Sequence, residues 1–223
     1  MKITVVIPAY NESQVIQKVI RDVKDKVDQI VVVDDGSTDN TFELAVDAGA
    51  KTLRHFLNRG QGAALQTGIS FALQTGADII VTFDADGQHS SDEITAIIKP
   101  LLLKETDIVL GSRFLKKENQ VPFSRKLLLK TATFFTRLYT GLKVTDTHNG
   151  FRAFSRLAAE KIKIDQSGMA HASEIIEEIR RHQLRFQEVG VTIEYTYYSL
   201  NKGQKLSNSL KIVWDLVLSR LIR

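Results

Sequence analysis

Two aspartates one residue apart, Asp84 and Asp86, follow an apolar run that is typical of a buried strand. Their carboxylates can point toward a common hard cation, which takes oxygen ligands and accepts phosphate oxygens as further partners. Gln88 follows two residues later and offers an amide carbonyl. We therefore predict a divalent-cation site at Asp84, Asp86 and Gln88, with positions left open for a diphosphate. The alternative is structural, with Asp84 capping the next helix and Asp86 and Gly87 forming a turn.

Strand and helix patterns alternate through the first half of the chain and predict the elements that carry these residues. Apolar runs typical of buried strands open the segments 3–8, 29–37, 78–84 and 107–113, and helical spacing covers about 12–23, 38–48, 62–74 and 91–103. This alternation predicts an α/β fold with a mostly parallel central sheet flanked by helices. The predicted strands end in "PAYNE", "DDGSTD", "DADGQ" and "GSR". Such ends meet at one edge, so we expect one site there.

The second half of the chain is less regular. It predicts a basic amphipathic helix over 124–143, a strand after the loop "DTHNG", a helix over 172–182, an antiparallel strand pair or bend over 186–199, and a last helix over 209–223. Neither an internal repeat nor a flexible linker interrupts the sequence. One domain is therefore the simplest organisation.

Composition excludes several classes of function. Among the 223 residues there is no cysteine, which rules out disulfides, thiolate metal sites and cysteine catalysis. No apolar run is long enough to span a bilayer. The formal net charge is +4, and the predicted site edge is acidic, which disfavours nucleic-acid binding.

Three other motif families fit the sequence less well. An EF-hand loop that starts at Asp84 would need glycine at its sixth and glutamate at its twelfth position, and neither Gly87 nor Glu93 falls there. The "FDADG" segment is similar to the D-x-D-G-T motif of haloacid-dehalogenase phosphatases, but Gln88 replaces the threonine. The glycines of "RGQGAALQTG" lack the spacing and position of a dinucleotide-binding loop.

Five motifs occur in order along the chain: "VVIPAYNE", "VVVDDGSTDNT", "NRGQGAALQTG", "FDADGQH" and "GSRF". Together they resemble family 2 glycosyltransferases, nucleotide-sugar-dependent enzymes with an A-type glycosyltransferase fold. The closest branch is that of dolichol-phosphate mannose synthase and related polyprenyl-phosphate glycosyltransferases. The resemblance is strong over about 3–154. It implies one domain over 1–223, with a Rossmann-like nucleotide-sugar-binding half at about 1–115 and an acceptor half at about 116–223 that ends in an amphipathic helix.

The resemblance also implies roles for individual residues. Asp86 is expected to bind Mg²⁺ or Mn²⁺, Asp84 to bind metal or ribose, and Gln88 to match a metal ligand of the synthase branch. The UDP- or GDP-linked donor is expected to contact Pro8, Ala9, Tyr10, Glu12, Val33, Asp35, Gly60, Gly62, Asp84, Ala85, Asp86, Arg113, Arg125, Lys202 and Lys205. The late loop departs from the synthase branch, because no arginine precedes Gly203. For Arg113 and Arg125 the alternative is a solvated surface charge.

The acceptor determines which catalytic groups are needed. A phosphate monoester is already an anionic nucleophile, whereas a sugar hydroxyl needs a general base. The expected catalytic residues are Asp86, Arg113, Asp146 and Glu174, with Glu174 as the base or acceptor-site acid. The expected reaction is inverting transfer of a sugar to a polyprenyl phosphate. Alternatives are transfer to a saccharide hydroxyl in cell-envelope polysaccharide assembly, or a catalytically silent nucleotide-binding module.

Two segments suggest contact with a membrane surface. The basic stretch 125–143 and the last helix, which contains Trp214, combine lysine and arginine with aromatic and aliphatic residues. We expect a cytoplasmic protein on the inner face of a membrane, with a separate membrane protein as its anchor. The alternative is that both helices cover the core or form the face of a homo-oligomer.

Overall fold

The computed structural model describes residues 1–116, 119, 121–166, 168 and 170–195. In this part of the chain the strands are β1 (Ile3–Ala9), β2 (Gln29–Asp34), β3 (Lys51–Arg54), β4 (Ile79–Thr82), β5 (Ile108–Ser112), β6 (Arg152–Ser155) and β7 (Phe186–Gly190). The helices are α1 (Ile16–Lys24), α2 (Thr41–Asp47), α3 (Gln61–Gln74), α4 (Ile94–Leu102), α5 (Phe123–Thr140), α6 (Arg156–Lys161) and α7 (His171–Arg181), and a 3₁₀ turn at Ser91–Glu93 precedes α4.

All seven strands form one sheet in the order β3-β2-β1-β4-β6-β5-β7. The strands are parallel except β6, which runs antiparallel to both β4 and β5. The predicted α/β fold with a mostly parallel sheet is therefore confirmed. Strands β6 and β7 lie beyond residue 116, so both halves of the chain build the same sheet.

Two apolar layers cover the two faces of the sheet. Helices α1, α2 and α4 pack against alternate residues of β1, β2 and β4, including Val5, Val32 and Val81, on one face. Helices α3, α6 and α7 cover the other face through Val6 and Ile80. Each such aliphatic side chain contributes about 1.5–3 kcal/mol when it is fully buried. The topological switch point of the sheet lies between β1 and β4. Helices α1 and α2, which connect β1, β2 and β3, cover one face, whereas α3, which leads into β4, covers the other.

The predicted antiparallel strand pair or bend over 186–199 lies partly outside the described residues, and Ile193 within it forms an antiparallel bridge with His89. Its first part, Phe186–Gly190, is a single strand that is parallel to β5. Its start is fixed because the backbone and guanidinium of Arg185 donate to Asp107, directly before β5, at 2.9–3.1 Å. Helix α6 was not predicted, although Ser155 caps it by accepting from the Ala158 backbone N–H at 3.2 Å.

The described residues contain no helix that is both long and apolar enough to cross a membrane. The predicted last helix, with Trp214, lies outside the described residues, as do the donor-binding candidates Lys202 and Lys205.

Candidate active site

The polar loops after β1, β2 and β4 meet at the carboxyl edge of the sheet. Pro8 and Val33 are register partners on neighbouring strands, and Ala9 is buried beside them. Tyr10 follows β1 and is 42% exposed. Glu12 is buried, and its backbone N–H donates to Thr41 Oγ1 at 2.7 Å. The residues at the end of β1 and β2 are therefore fixed in position at the switch point.

Asp35, which was expected to contact a nucleotide base, is buried and anchors the loop that leads into α3. Its Oδ1 accepts the Arg59 N–H at 2.9 Å and lies 2.6 Å from His55 Nδ1, and its Oδ2 accepts the Gly60 N–H at 2.6 Å. Gly60 has φ of 90°, which favours glycine. Asp35 therefore fixes the backbone of this loop, whatever else it contacts.

The lack of a side chain at Gly62 lets another segment of the protein pack closely against it. A Cβ at this position would lie 2.0 Å from the Gln166 carbonyl oxygen and 3.0 Å from Cβ of His171. Packing within the protein therefore already requires a glycine at position 62, and its contact with a nucleotide stays a prediction. The glycine lets the segment before α7 pack against the first turn of α3.

The two carboxylates of the D-x-D motif have different surroundings. Asp84 Oδ1 accepts from Gln61 Nε2 and its Oδ2 accepts from His89 Nε2, both at 3.0 Å. Burial alone would raise the pKa of Asp84, but the hydrogen bond and charge of His89, together with the charge of Arg152, lower it below its usual value. Asp84 is therefore a stabilised carboxylate.

Asp86 is less well compensated, although the His89 charge and a backbone hydrogen bond act to lower its pKa. Its Oδ1 accepts the Gln88 backbone N–H at 3.1 Å, which is the turn that the structural alternative predicted. Burial, followed by the negative charge of Asp84, raises the pKa of Asp86 to about 6. Glu12 adds further negative charge nearby. A cation beside Asp86 would remove this electrostatic cost.

The donor set fits a hard divalent ion that completes its coordination with ligand oxygens. Asp84, Asp86 and the buried Gln88 offer oxygen atoms within one turn, and Ala85 is buried between the aspartates. Within the described part of the chain, no three His, Asp or Glu side chains converge as a ready metal cage. Mg²⁺ binds in this manner, with one or two carboxylates plus substrate phosphates.

Arg113 and Asp146 form a buried ion pair. Oδ2 of Asp146 accepts from Arg113 Nε at 2.6 Å and from its backbone N–H at 3.1 Å, and Arg113 Nη2 donates to the His148 carbonyl at 3.0 Å. Burial would lower the pKa of Arg113, but Asp146 raises it above its usual value. Oδ1 of Asp146 accepts the His148 N–H at 3.2 Å. Asp146 therefore orients the Arg113 side chain, and both of its carboxylate oxygens accept hydrogen bonds from protein groups.

Arg125, in the first turn of α5, lies on the same side of the molecule as Arg113. Its guanidinium carbon is 5.3 Å from the centre of the Tyr195 ring, and Tyr195 is also near enough to Arg113 to help raise the pKa of that residue, although the buried Tyr195 hydroxyl has no hydrogen-bond partner among the described residues. Sequence reasoning missed Tyr195, because nothing in "IEYTYY" distinguishes one tyrosine from the next. The two arginines are thus brought together around one aromatic ring.

Glu174, the candidate base, lies in the first turn of α7. Its carboxylate accepts hydrogen bonds from the backbone that precedes this helix. Its Oε1 accepts the Asp165 N–H at 3.2 Å and its Oε2 accepts the Gln166 N–H at 2.9 Å. Burial raises the pKa of Glu174 above its usual value. The geometry is that of a structural carboxylate.

A buried cation, Arg152, lies behind the D-x-D motif and was also missed. It carries the charge that helps to lower the pKa of Asp84, and burial lowers its own pKa to about 10. Burial and the Arg152 charge lower the pKa values of His148 and His171 to about 4, so both histidines are neutral at pH 7. The available signal was a charged residue inside the otherwise apolar strand segment "FRAF".

Comparison with known proteins identifies the family. The model of glycosyl transferase family 2 matches residues 4–163, which is more than half of the chain. The chain belongs to glycosyl transferase family 2. This family 2 enzyme is 32% identical to a UDP-N-acetylglucosamine–dolichyl-phosphate N-acetylglucosaminyltransferase of Methanococcus voltae, over 98% of this chain and 96% of the relative. A dolichol-phosphate mannosyltransferase of Pyrococcus furiosus is 30% identical, over 97% of this chain and 64% of that protein.

The fold is the A-type glycosyltransferase fold. A glucosyl-3-phosphoglycerate synthase from Mycobacterium tuberculosis, solved with Mn²⁺, UDP and glucosyl-3-phosphoglycerate, superposes on this family 2 glycosyltransferase with a TM-score of 0.76. The match covers 98% of this chain and 79% of that structure, at 24% identity. The predicted family, branch resemblance and fold are therefore confirmed.

Proposed function

We propose that this glycosyltransferase moves a sugar, with inversion, from a UDP- or GDP-linked donor to a polyprenyl phosphate at a membrane surface, with Mg²⁺ or Mn²⁺ bound at the D-x-D motif. The observation that carries the proposal is the unequal pair of aspartates at the switch point. Asp84 is held by protein donors, whereas Asp86 has a pKa raised to about 6 by burial and like charge. An excess of buried negative charge suits a cation held against a diphosphate.

The donor would lie across the edge formed by the β1, β2 and β4 loops. Tyr10 and the backbone fixed by Asp35 would bound the nucleotide, and Asp86, with Gln88, would hold the ion. When it is bound, the ion neutralises charge that develops on the departing diphosphate. Asp146 keeps Arg113 charged and oriented. Arg113 would bind the phosphate group of the acceptor.

The reaction exchanges one carbon–oxygen bond for another. An acceptor phosphate oxygen would attack C1 of the sugar from the face opposite the leaving group. The C1–O bond to the diphosphate breaks, and its electron pair stays on the β-phosphate oxygen. No proton has to be removed from an ionised phosphate. Because both oxygens of Glu174 accept backbone hydrogen bonds, the site favours such a base-independent acceptor over a sugar hydroxyl.

Helix α5 supports the proposed position at a membrane surface. Its buried residues are threonines, Thr133, Thr136 and Thr140, whereas large apolar side chains point outward. The exposed set is Phe123, Leu127, Phe134, Phe135, Leu138 and Tyr139. Lysine and arginine side chains of the same helix would favour anionic lipid by about 1 kcal/mol each. Arg125, in the first turn of this helix, stacks over the Tyr195 ring, and Tyr195 lies near Arg113.

A transfer assay tests the acceptor. Labelled UDP- and GDP-sugars are incubated with a short polyprenyl phosphate and Mn²⁺, and label in the organic phase is counted. We expect transfer that requires metal, is lost in Asp86→Asn and persists in Glu174→Gln. Label that enters only an oligosaccharide acceptor, and is lost in Glu174→Gln, would instead support the saccharide alternative.

Flotation with liposomes tests the membrane surface separately. Leu138→Ser should weaken binding to vesicles that contain anionic lipid. Leu157→Ser is the matched control, because Leu157 is also exposed but lies on α6. Equal binding by both variants would contradict the role of α5.

A further inference from the structure

His89 is a buried aromatic side chain that contacts the D-x-D motif from within the protein. Its side chain is 2% exposed, and its Nε2 lies 3.0 Å from Asp84 Oδ2. A carboxylate oxygen only accepts, so Nε2 donates this hydrogen bond. Nδ1 is buried and has no hydrogen-bond partner among the described residues. The hydrogen bond to Asp84 is therefore the polar interaction that this ring makes.

The His89 ring packs in a cluster with two phenylalanine rings that also contact each other. The ring centroid lies 5.3 Å from that of Phe83 and 5.2 Å from that of Phe151. The backbone is fixed as well, since His89 forms an isolated β-bridge with Ile193 and the neighbouring Gln88 carbonyl accepts the Glu194 N–H at 2.9 Å. The hydrogen-bond donor therefore has a defined position before any ligand arrives.

Asp84 is confined from two further directions. Gln61 Nε2 donates to Oδ1, the oxygen that His89 does not contact. A Cβ at position 150 would lie 2.3 Å from both Asp84 carboxylate oxygens, so Gly150 brings backbone against the carboxylate. One oxygen of Asp84 thus has a donor from α3, the other has a donor from His89, and the backbone closes the third side.

We propose that His89 is a positioning residue, which fixes the Asp84 carboxylate so that it faces the donor nucleotide while Asp86 keeps its oxygens for the ion. This inference rests on the proposed function, because it assigns a role within the same donor site. It predicts that the hydrogen bond of His89, and not only its ring, matters for metal-dependent nucleotide binding. It also predicts that the two properties can be separated by substitution.

Three substitutions separate the hydrogen bond from the packing. His89→Phe keeps a ring in the cluster with Phe83 and Phe151 but removes the hydrogen-bond donor. His89→Gln places an amide donor near the position of Nε2, and His89→Asn places it too far from Asp84. His182→Phe, directly after α7 and distant in sequence from the motif, serves as the matched control.

The test is calorimetric titration of UDP and of GDP with and without Mn²⁺, combined with thermal unfolding of each variant without metal. We expect His89→Phe and His89→Asn to weaken metal-dependent binding at least about tenfold, as for loss of a hydrogen bond to a charged group. We expect His89→Gln to stay within about threefold of the unsubstituted protein.

Affinity and stability must diverge for the inference to hold. Affinities that simply follow the unfolding temperatures, or full affinity in a folded His89→Phe, would overturn the positioning role and leave the proposed function intact. If His89→Gln does not fold, the nucleotide affinity and unfolding temperature of His89→Phe, compared with those of the unsubstituted protein, still test the positioning role. Failure of the unsubstituted protein to bind either nucleotide with Mn²⁺ would overturn the proposed donor site and this inference together.

Discussion

Replacing Asp86 by asparagine should stabilise the metal-free protein. Burial and the charge of Asp84 raise the pKa of Asp86 from 3.8 to about 6, which corresponds to about 3 kcal/mol. The folded state binds this proton more tightly than the unfolded chain does. The contribution of Asp86 to the free energy of unfolding therefore falls as pH rises from about 4 to about 6. At pH 7 the ionised Asp86 destabilises the folded state by the full amount.

Asparagine has nearly the same shape but carries no charge. At pH 7 without metal, we expect Asp86→Asn to raise the free energy of unfolding by about 1–3 kcal/mol. For a chain of this length that corresponds to about 2–4 °C in melting temperature per kcal/mol. At pH 4 the gain should vanish, because Asp86 is then protonated in the folded protein.

Asp84→Asn is the matched control, and the expected sign is opposite. The pKa of Asp84 is lowered in the folded state, so its carboxylate contributes stability above its ordinary pKa that is lost as pH falls through the folded value. An amide nitrogen would also face a donor, either Gln61 or His89. At pH 7 we expect destabilisation by about 1–3 kcal/mol.

The assay is thermal and urea unfolding of both variants between pH 4 and pH 8 in the presence of a chelator. An Asp86→Asn protein that is no more stable than the unsubstituted protein at pH 7 would refute the electrostatic argument. So would a gain that does not shrink toward pH 4, or stabilisation by Asp84→Asn.

Three further predictions follow from contacts around the site. Gly62→Ala should destabilise by at least about 2 kcal/mol in urea unfolding, because its Cβ would lie 2.0 Å from a backbone oxygen; no loss would mean that the loop before α7 moves aside. Asp146→Asn should cost about 3–5 kcal/mol by leaving Arg113 buried beside a neutral partner. The double change Asp146→Leu with Arg113→Met should recover much of that stability, and a double variant as unstable as the single one would contradict the ion-pair argument. Glu174→Gln should lower the unfolding temperature, because the amide can accept from only one of the two backbone N–H groups that the carboxylate accepts; an unchanged unfolding temperature would show that these hydrogen bonds contribute little.

The alternating first half of the chain could be predicted from sequence because each element has a strong local signal. Apolar runs gave β1, β2 and β4, and polar residues at their ends located the crevice. The Asp84 and Asp86 pair could be recognised because both residues belong to one turn. A parallel sheet brings the carboxyl ends of its strands to one edge in any strand order. Polar residues at these ends can therefore be assigned to one site without knowledge of which strands pair.

Pairings between distant segments could not be predicted in the same way. Strand β7 lies beside β5 because Arg185 binds Asp107, a contact across 78 residues. Asp146 lies 33 residues from Arg113, and no spacing rule links them. The side chains that stabilise Asp84 come from His89 and Gln61, whose role depends on how tightly α3 packs against the loop after β4.

Calorimetric titration of the nucleotide with and without Mn²⁺ tests the central claim most directly, that the D-x-D motif, through Asp86, holds a cation against a nucleotide diphosphate. We expect either UDP or GDP to bind only with metal, and Asp86→Asn to lose this binding although it is the more stable protein. Nucleotide binding that is equally tight in a chelator, or unchanged in Asp86→Asn, would contradict the account.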